Sequence, residues 1–81
     1  MRIEIRLFGE EARAAGANTL AVDLDAPATC GSLRDAMRTQ APVLASSLGW
    51  ARLTVNGRYA DDKTPIEETD EIALIGLVSG G

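Results

Sequence analysis

Alternating apolar and polar positions predict β-strands along much of this chain. In residues 2–8, Ile3, Ile5 and Leu7 fall on one side, and charged residues separate them. The same alternation, interrupted by turn residues, predicts strands at residues 2–8, 19–25, 52–55, 58–60 and 71–77. Asn56-Gly57 predicts a tight hairpin between the strands at 52–55 and 58–60, because both residues tolerate positive φ.

Two segments show helical instead of alternating spacing. Residues 10–15 are rich in helix formers and stop at Gly16, a natural C-cap, so they predict one or two helical turns. A longer helix follows Thr29 or Ser32, either of which can serve as its N-cap, and it ends near Pro42. We expect one side of this helix to face the core, with Leu33, Ala36, Met37 and Gln40. The opposite side is expected to face water, with Arg34, Asp35 and Arg38.

The predicted elements combine into one hydrophobic core. Val43, Leu44 and Leu48 are expected to close one end of it, and Ile66 is expected to anchor the polar loop at 61–65. The strand and helix positions predicted to be buried together are Leu20, Val22, Leu33, Met37, Leu53, Val55, Ile72 and Leu74.

The order of the elements defines the fold class. One helix laid across one face of a mixed sheet of four to five strands forms a two-layer α+β domain. Two strands, the main helix, and then three further strands are the order of the ubiquitin-like β-grasp fold. We therefore expect a β-grasp domain at residues 1–78 and a flexible Gly-Gly tail at residues 79–81, which have little capacity to pack.

Composition narrows the classes of function. The 81 residues include 12 acidic and 8 basic side chains, a balance that disfavours binding to nucleic acid or to an anionic membrane. The longest apolar run, residues 72–78, is far shorter than the ~20 residues of a membrane span. The absence of histidine removes the commonest metal ligand and excludes Ser–His–Asp and Cys–His sites. With one cysteine and no resemblance to a signal peptide at the N-terminus, we expect a reducing, cytoplasmic location and no bound metal.

The internal candidates for chemistry have ordinary structural interpretations. Cys30 lies at a predicted helix start, where the dipole could lower its pKa, but a lone cysteine is usually packed in the core. Trp50 and Tyr59 are expected at the core edge or in an interface. A solvated loop face, or a docking surface for a basic partner, is formed by Asp61, Asp62, Glu67, Glu68, Asp70 and Glu71.

The pair Gly80-Gly81 is the strongest candidate for a chemical site. It follows the apolar residues Leu77-Val78, and we expect Gly81 to be the end of the protein. The pair is either a frayed terminus or a substrate whose carboxylate reacts. Converting that carboxylate to an acyl-adenylate and then to a thiocarboxylate needs a narrow approach, which a Cβ on either residue would crowd.

Short motifs along the whole chain are similar to those of one family. They are Leu7-Phe8-Gly9 with Ala12-Arg13 and Gly16, Val55-Asn56, Pro65-Ile66 with Thr69-Asp70-Glu71-Ile72-Ala73, and Val78-Ser79-Gly80-Gly81. They match, in order, the "LFFAxxRExxG", "AVN", "PLxDGDEVA" and "VSGG" segments of the molybdopterin synthase small subunit. The chain resembles this family and, more broadly, the bacterial ubiquitin-like sulfur carriers, which include the thiamine-thiazole carrier. It departs at Gly76-Leu77, where the family commonly has Pro-Pro, and at Glu68-Thr69-Asp70, where it has Asp-Gly-Asp.

The resemblance implies a role in sulfur transfer. A ubiquitin-activating-like enzyme would use ATP to adenylate the Gly81 carboxylate, and a sulfurtransferase would supply sulfur to form a thiocarboxylate. The large subunit of molybdopterin synthase, in a heterotetramer, would supply the catalytic groups, so that this chain is a co-substrate without a tightly bound cofactor. Carriers for thiamine, tRNA thiolation or cysteine synthesis are alternatives, as are a protein modifier and an interaction domain with an inert tail.

A partner surface is predicted next to the tail. Ile75 and Leu77 alternate with core-facing positions of the last strand, and Phe8, at the end of the first strand, could lie beside them. Together with Val78 and Ser79, these residues are expected to bind the large subunit.

Overall fold

The computed structural model describes residues 1–76 of the chain. The strands are β1 (Arg2–Leu7), β2 (Thr19–Asp23), β3 (Ala28–Thr29), β4 (Arg52–Val55), β5 (Arg58–Ala60), β6 (Pro65–Ile66) and β7 (Ile72–Ile75). The helices are α1 (Gly9–Ala15), α2 (Cys30–Gln40) and α3 (Ala45–Leu48), with a 3-10 turn at Pro42–Leu44 before α3. The predicted tail at 79–81 and the predicted end of the last strand at Leu77 lie outside the described residues.

Five strands form one mixed sheet in the order β2-β1-β7-β4-β5. β1 pairs in parallel with β7, whereas the pairs β1–β2, β4–β7 and β4–β5 are antiparallel. The parallel pair lies at the centre of the sheet. β1 and β7 can pair in parallel because α2 and the segments around it form a long connection between them. This arrangement confirms the predicted α+β β-grasp fold, with one main helix packed on one face of a mixed sheet.

The core lies between the sheet and α2. The inward side chains of β1, Ile3, Ile5 and Leu7, are buried together with Leu33 and Met37 of α2. Of the eight positions predicted to be buried, Val22, Leu33, Met37, Leu53, Ile72 and Leu74 are buried, whereas Leu20 and Val55 are only half-buried. Leu20 lies on the edge strand β2, and Val55 lies next to the hairpin, so each has neighbours on fewer sides.

Local geometry explains where the helices begin and end. Thr29 Oγ1 accepts a hydrogen bond from the Ser32 backbone N–H, and Ser32 Oγ accepts one from the Thr29 N–H, at 3.2 and 2.9 Å. Both candidate caps of α2 therefore act together in a capping box. Gly16 takes the left-handed conformation after α1, and Asn56 and Gly57 both have positive φ, as predicted for the hairpin.

Arg34 does not face water as predicted. Its side chain is 16% exposed, and Nη1 donates hydrogen bonds to the carbonyl oxygens of Leu48 and Ala51, both at 2.8 Å. The last carbonyls of a helix have no partner within that helix, and α3 is only one turn long. A guanidinium group from α2 satisfies them, so Arg34 ties the segment around α3 to the main helix. Asp35 and Arg38 are exposed, as predicted.

Gln40 does not face the core as predicted. It is exposed, and its side-chain amide exchanges two hydrogen bonds with the backbone of Asp23, the residue at which the second strand ends instead of at Asp25.

Three further predictions need correction. Val43 is 56% exposed, while Leu44 and Leu48 close the end of the core, because the 3-10 turn directs Val43 outward. The first strand ends at Leu7, since Phe8 occupies the N-cap position of α1. The loop at 61–65 gives way to a short strand, β6, which pairs with β3 in a separate two-stranded sheet and buries Ile66 as the predicted anchor.

Candidate interaction site at the end of the last strand

The last strand, β7, runs through the middle of the sheet. Its register pairs Leu74 with Leu7 of β1 on one side and Ile75 with Arg52 of β4 on the other. Gly76, the last described residue, follows directly after this strand. The described part of the chain therefore ends at the centre of the sheet, between β1 and β4.

The side of the sheet away from α2 carries a second set of side chains. Because successive residues of a strand point to opposite faces, the residues between the buried positions share this side. We call it the open sheet face, and in β1, β4, β5 and β7 it consists of Arg2, Glu4, Arg6, Arg52, Thr54, Tyr59, Ala73 and Ile75. The Arg52 guanidinium carbon lies 4.3 Å from the centre of the Tyr59 ring, within the range of a cation–π contact.

Phe8 extends this face. Its backbone is extended, with φ −135° and ψ 157°, so the alternation of β1 continues through it and directs it to the same side as Arg6. The parallel pairing of Leu7 with Leu74 places Phe8 level with Ile75, one residue further along each strand. Phe8 is 49% exposed, and Ile75 is half-buried. The other predicted partner-binding residues, Leu77, Val78 and Ser79, lie outside the described residues, as do Gly80 and Gly81.

The two remaining large aromatic residues are also exposed. Tyr59 is 59% exposed on the open sheet face, and Trp50, which precedes β4, is exposed to a similar extent. Neither packs in the core, so the interface interpretation fits them better than the core-edge interpretation.

A buried carboxyl group lies next to Gly76. In the sequence it belongs to a segment that was notable only for its helix-forming residues. Glu11 of α1 is 3% exposed, and its Oε2 accepts a hydrogen bond from Ser47 Oγ of α3 at 2.9 Å. A Cβ added to Gly76 would lie 2.8 Å from Glu11 Cδ. The position of Glu11 does not follow the helical or alternating spacing that marks buried residues. The sequence therefore did not indicate that Glu11 is buried or that it contacts Gly76.

Cys30 is fully buried at the start of α2, within the hydrophobic core. Burial raises the pKa of the thiol, and this effect outweighs the opposing influence of the Arg34 guanidinium. A raised pKa keeps the residue in the unreactive thiol form. The packed interpretation of Cys30 is therefore confirmed.

Several acidic side chains hold loops in place. Asp70 accepts hydrogen bonds from Asn56 Nδ2 and from the Glu67 backbone N–H, and Asp61 accepts them from Lys63 and Thr64. These bonds favour the interpretation of the acidic residues as a solvated loop face. Within residues 1–76, no group of three or more potential ligand side chains is arranged to hold a metal ion. None of the helices in this part of the chain is long and apolar enough to cross a membrane.

Known structures share this fold over the whole chain. SAMP1 from Haloferax volcanii is 32% identical, with 100% of both chains covered and a TM-score of 0.87. The small archaeal modifier protein 1 from Methanosarcina acetivorans is 19% identical, covering 99% of this chain and 96% of that one, with a TM-score of 0.79. A chain in the complex of subunits 1 and 2 of the molybdopterin-converting factor from Helicobacter pylori is 24% identical, with 100% of both chains covered and a TM-score of 0.69.

Sequence comparison assigns the chain to one family. No curated protein gives a significant match. The ThiS family matches residues 5–81, which include all of the sheet after the first part of β1. The chain therefore belongs to the ThiS family, within the ubiquitin-like sulfur carriers.

Proposed function

We propose that this chain is the sulfur-carrying small subunit of molybdopterin synthase. An ATP-dependent activating enzyme joins AMP to the Gly81 carboxylate and releases pyrophosphate. The terminal sulfur of a sulfurtransferase persulfide then displaces AMP to form an acyl disulfide, and a second thiol reduces its S–S bond, which leaves a thiocarboxylate and a disulfide on the sulfurtransferase side. The observation that carries this proposal is the Val78-Ser79-Gly80-Gly81 sequence after the central strand of a sulfur-carrier fold. The chain itself holds no cofactor, and ATP is consumed by the activating enzyme.

The position of β7 supports this chemistry. A strand held on both sides gives the following residues a fixed starting point, from which a short segment can reach into a partner. Glycine at the last two positions leaves the terminal carbonyl open to a nucleotide and to an attacking sulfur, because neither residue has a Cβ. The fold supplies the platform, and the tail supplies the reacting group.

The open sheet face is the proposed contact with the large subunit. Phe8 and Ile75 place apolar surface beside the exit of the chain, and Arg52 and Tyr59 continue the face toward the sheet edge. Leu77, Val78 and Ser79 follow in sequence, so the same partner would bind them in the assembled heterotetramer. The Helicobacter pylori structure is a complex of two molybdopterin-converting subunits, which makes the large subunit the natural candidate partner. Its catalytic groups would transfer the sulfur to precursor Z, with this chain as co-substrate.

Intact mass tests the chemistry directly. With an activating enzyme of this type, ATP and sulfide, the chain should gain the mass difference of one sulfur replacing one oxygen. Deleting Gly81 is the matched control, and the gain should disappear. An unchanged mass with several such enzymes, under conditions in which a known carrier is converted, would overturn the proposal.

Replacing Ile75 with aspartate should weaken binding of the large subunit. The carboxylate would replace apolar surface beside Phe8 in the contact and would have to be desolvated there, a cost that remains although Arg52 lies opposite it. We expect a loss of affinity of about tenfold or more in a titration, which corresponds to at least ~1.4 kcal/mol. Val43→Asp makes the same chemical change on exposed surface outside the sheet, and it should bind normally. Equal affinity for both variants would place the interface elsewhere, and unfolding of the Ile75 variant would assign Ile75 to the core.

A second candidate function is protein modification. The observation that favours it is the 32% identity to SAMP1 over the full length of both chains. In that case the Gly81 adenylate would form an isopeptide bond with a lysine of a target protein. Conjugates to the chain itself could form only on Lys63, its one lysine, or on the N-terminal amine. Covalent adducts in cells, identified by mass spectrometry of the linked peptides, would favour modification over sulfur transfer.

A further inference from the structure

Glu11 has an unusual environment for a charged residue. Among residues 1–76 it is the one charged side chain that is buried, and its Oε2 accepts the hydrogen bond from Ser47 Oγ. Burying a carboxyl group is costly unless polar partners are held in place around it. A small domain that keeps such a group in its interior therefore calls for a reason beyond helix formation.

The neighbouring glycine is explained by this carboxyl group. A Cβ on Gly76 would lie 2.8 Å from Glu11 Cδ and 3.0 Å from Oε2, and closer still to Oε1. Real Cβ atoms essentially never approach this closely. Gly76 does not have a positive φ, so the backbone conformation alone would allow another residue. A methyl group at position 76 would therefore have to displace the Glu11 carboxyl group from its place beside Ser47.

The contact connects three elements. Glu11 lies in α1, Ser47 lies in α3, and Gly76 follows β7, so one carboxyl group joins two helices to the end of the central strand. We infer that Glu11 is a positioning residue whose carboxyl group, held by Ser47, fixes the backbone at Gly76 and thereby the direction in which the tail is presented to the activating enzyme. This inference rests on the proposed function, because it assigns a role in the activation of Gly81.

Residues 77–81 separate Gly76 from the Gly81 carboxylate. A change in the backbone direction at Gly76 changes where these residues start, and so changes how often the Gly81 carboxylate reaches the reactive position in the activating enzyme. Misplacing a reacting group by ~1 Å can cost about 100-fold in rate. An activating enzyme that docks on the open sheet face, as is proposed for the large subunit, would meet the same side chains in variants of this contact. Loss of the contact should consequently lower kcat for adenylation and leave the KM for the chain almost unchanged.

The test is steady-state adenylation of the chain, measured as pyrophosphate release by the activating enzyme. Gly76→Ala should lower kcat roughly 10- to 100-fold with little change in KM. Gly49→Ala is the matched control, because its Cβ would meet the Ser46 carbonyl oxygen at 3.7 Å, an ordinary contact, and it should react like the unaltered chain. A normal kcat for Gly76→Ala would overturn the inference.

Variants of the carboxyl group separate positioning from general stability. Glu11→Ala and Ser47→Ala should both lower kcat, and Glu11→Gln, which keeps the shape and an acceptor oxygen, should restore most of it. The double variant Glu11→Ala/Gly76→Ala should be no slower than Glu11→Ala alone, because the added methyl group then meets no carboxylate. Losses that multiply in the double variant, or an effect confined to KM, would contradict the inference. If the unaltered chain releases no pyrophosphate, the proposed function itself fails, and this outcome is distinct from a failure at Gly76.

Discussion

Adding one residue after Gly81 is expected to abolish sulfur loading while leaving the thermal unfolding midpoint unchanged. The new carboxylate would lie one residue, or about 3.5 Å, beyond the position where the nucleotide is attacked. Gly81→Ala should lower loading by about 100-fold, because its methyl group would occupy space meant for backbone alone. Among residues 1–76, the buried apolar residues lie between Ile3 and Leu74, and a glycine at position 81 has no side chain to add to them, so we expect neither change to weaken the core. Intact mass after a timed reaction measures the loading.

Competition shows whether these tail variants still dock. The extended chain keeps the open sheet face, so it should inhibit loading of the unaltered chain when added in excess. If the extended or alanine-substituted chain carries sulfur at the normal rate, Gly81 is not the reacting end. If the extended chain neither reacts nor competes, the tail itself provides the main contact with the activating enzyme. Binding of the large subunit through Phe8 and Ile75 is then tested by the Ile75→Asp titration alone.

Truncating Leu33 or Leu53 to alanine should each lower the free energy of unfolding by about 2–5 kcal/mol. Both side chains are fully buried, Leu33 on the inward side of α2 and Leu53 on the inward side of β4, and neither variant can refill the space it leaves. A domain of this size is typically stable by ~5–15 kcal/mol, so one such change removes a large share of the total. Urea titration measures the loss.

Val43→Ala, at an exposed position, should change stability by only about 0.5 kcal/mol. A loss under ~1 kcal/mol at both leucines would mean that the assigned faces are wrong.

The sequence predicts the main elements because their signals are local. Ile3, Ile5 and Leu7 alternate with charged residues, and Asn56-Gly57 permits only a narrow set of turns, so the first strand and the hairpin could be recognised without tertiary information. The faces of α2 follow from the same kind of periodicity, which placed Leu33 and Met37 correctly in the core.

The missed features depend on residues that are distant in sequence. Arg34 has the spacing of a water-facing residue, and only the carbonyl groups at the end of α3 bring it inward. The short strand β6 exists because β3, more than 30 residues earlier in the chain, lies beside it. Glu11 could be recognised as important only when Ser47 and Gly76 were seen around it. In the candidate site, the alternation of the strands suggested the Phe8–Ile75 pair, whereas the carboxyl contact had no local signal.

The central position of β7 has a consequence for how the protein is made. β1 with β2, and β4 with β5, form two hairpins that are joined into one sheet only through β7. Of the strands in residues 1–76, β7 is the last to leave the ribosome, so the two hairpins stay unjoined until residues 72–75 have been translated. A chain that stops before residue 72 has neither a closed sheet nor a terminal glycine pair. Under the proposed function, only a molecule translated through β7 and the glycine pair could fold and offer Gly81 to an activating enzyme.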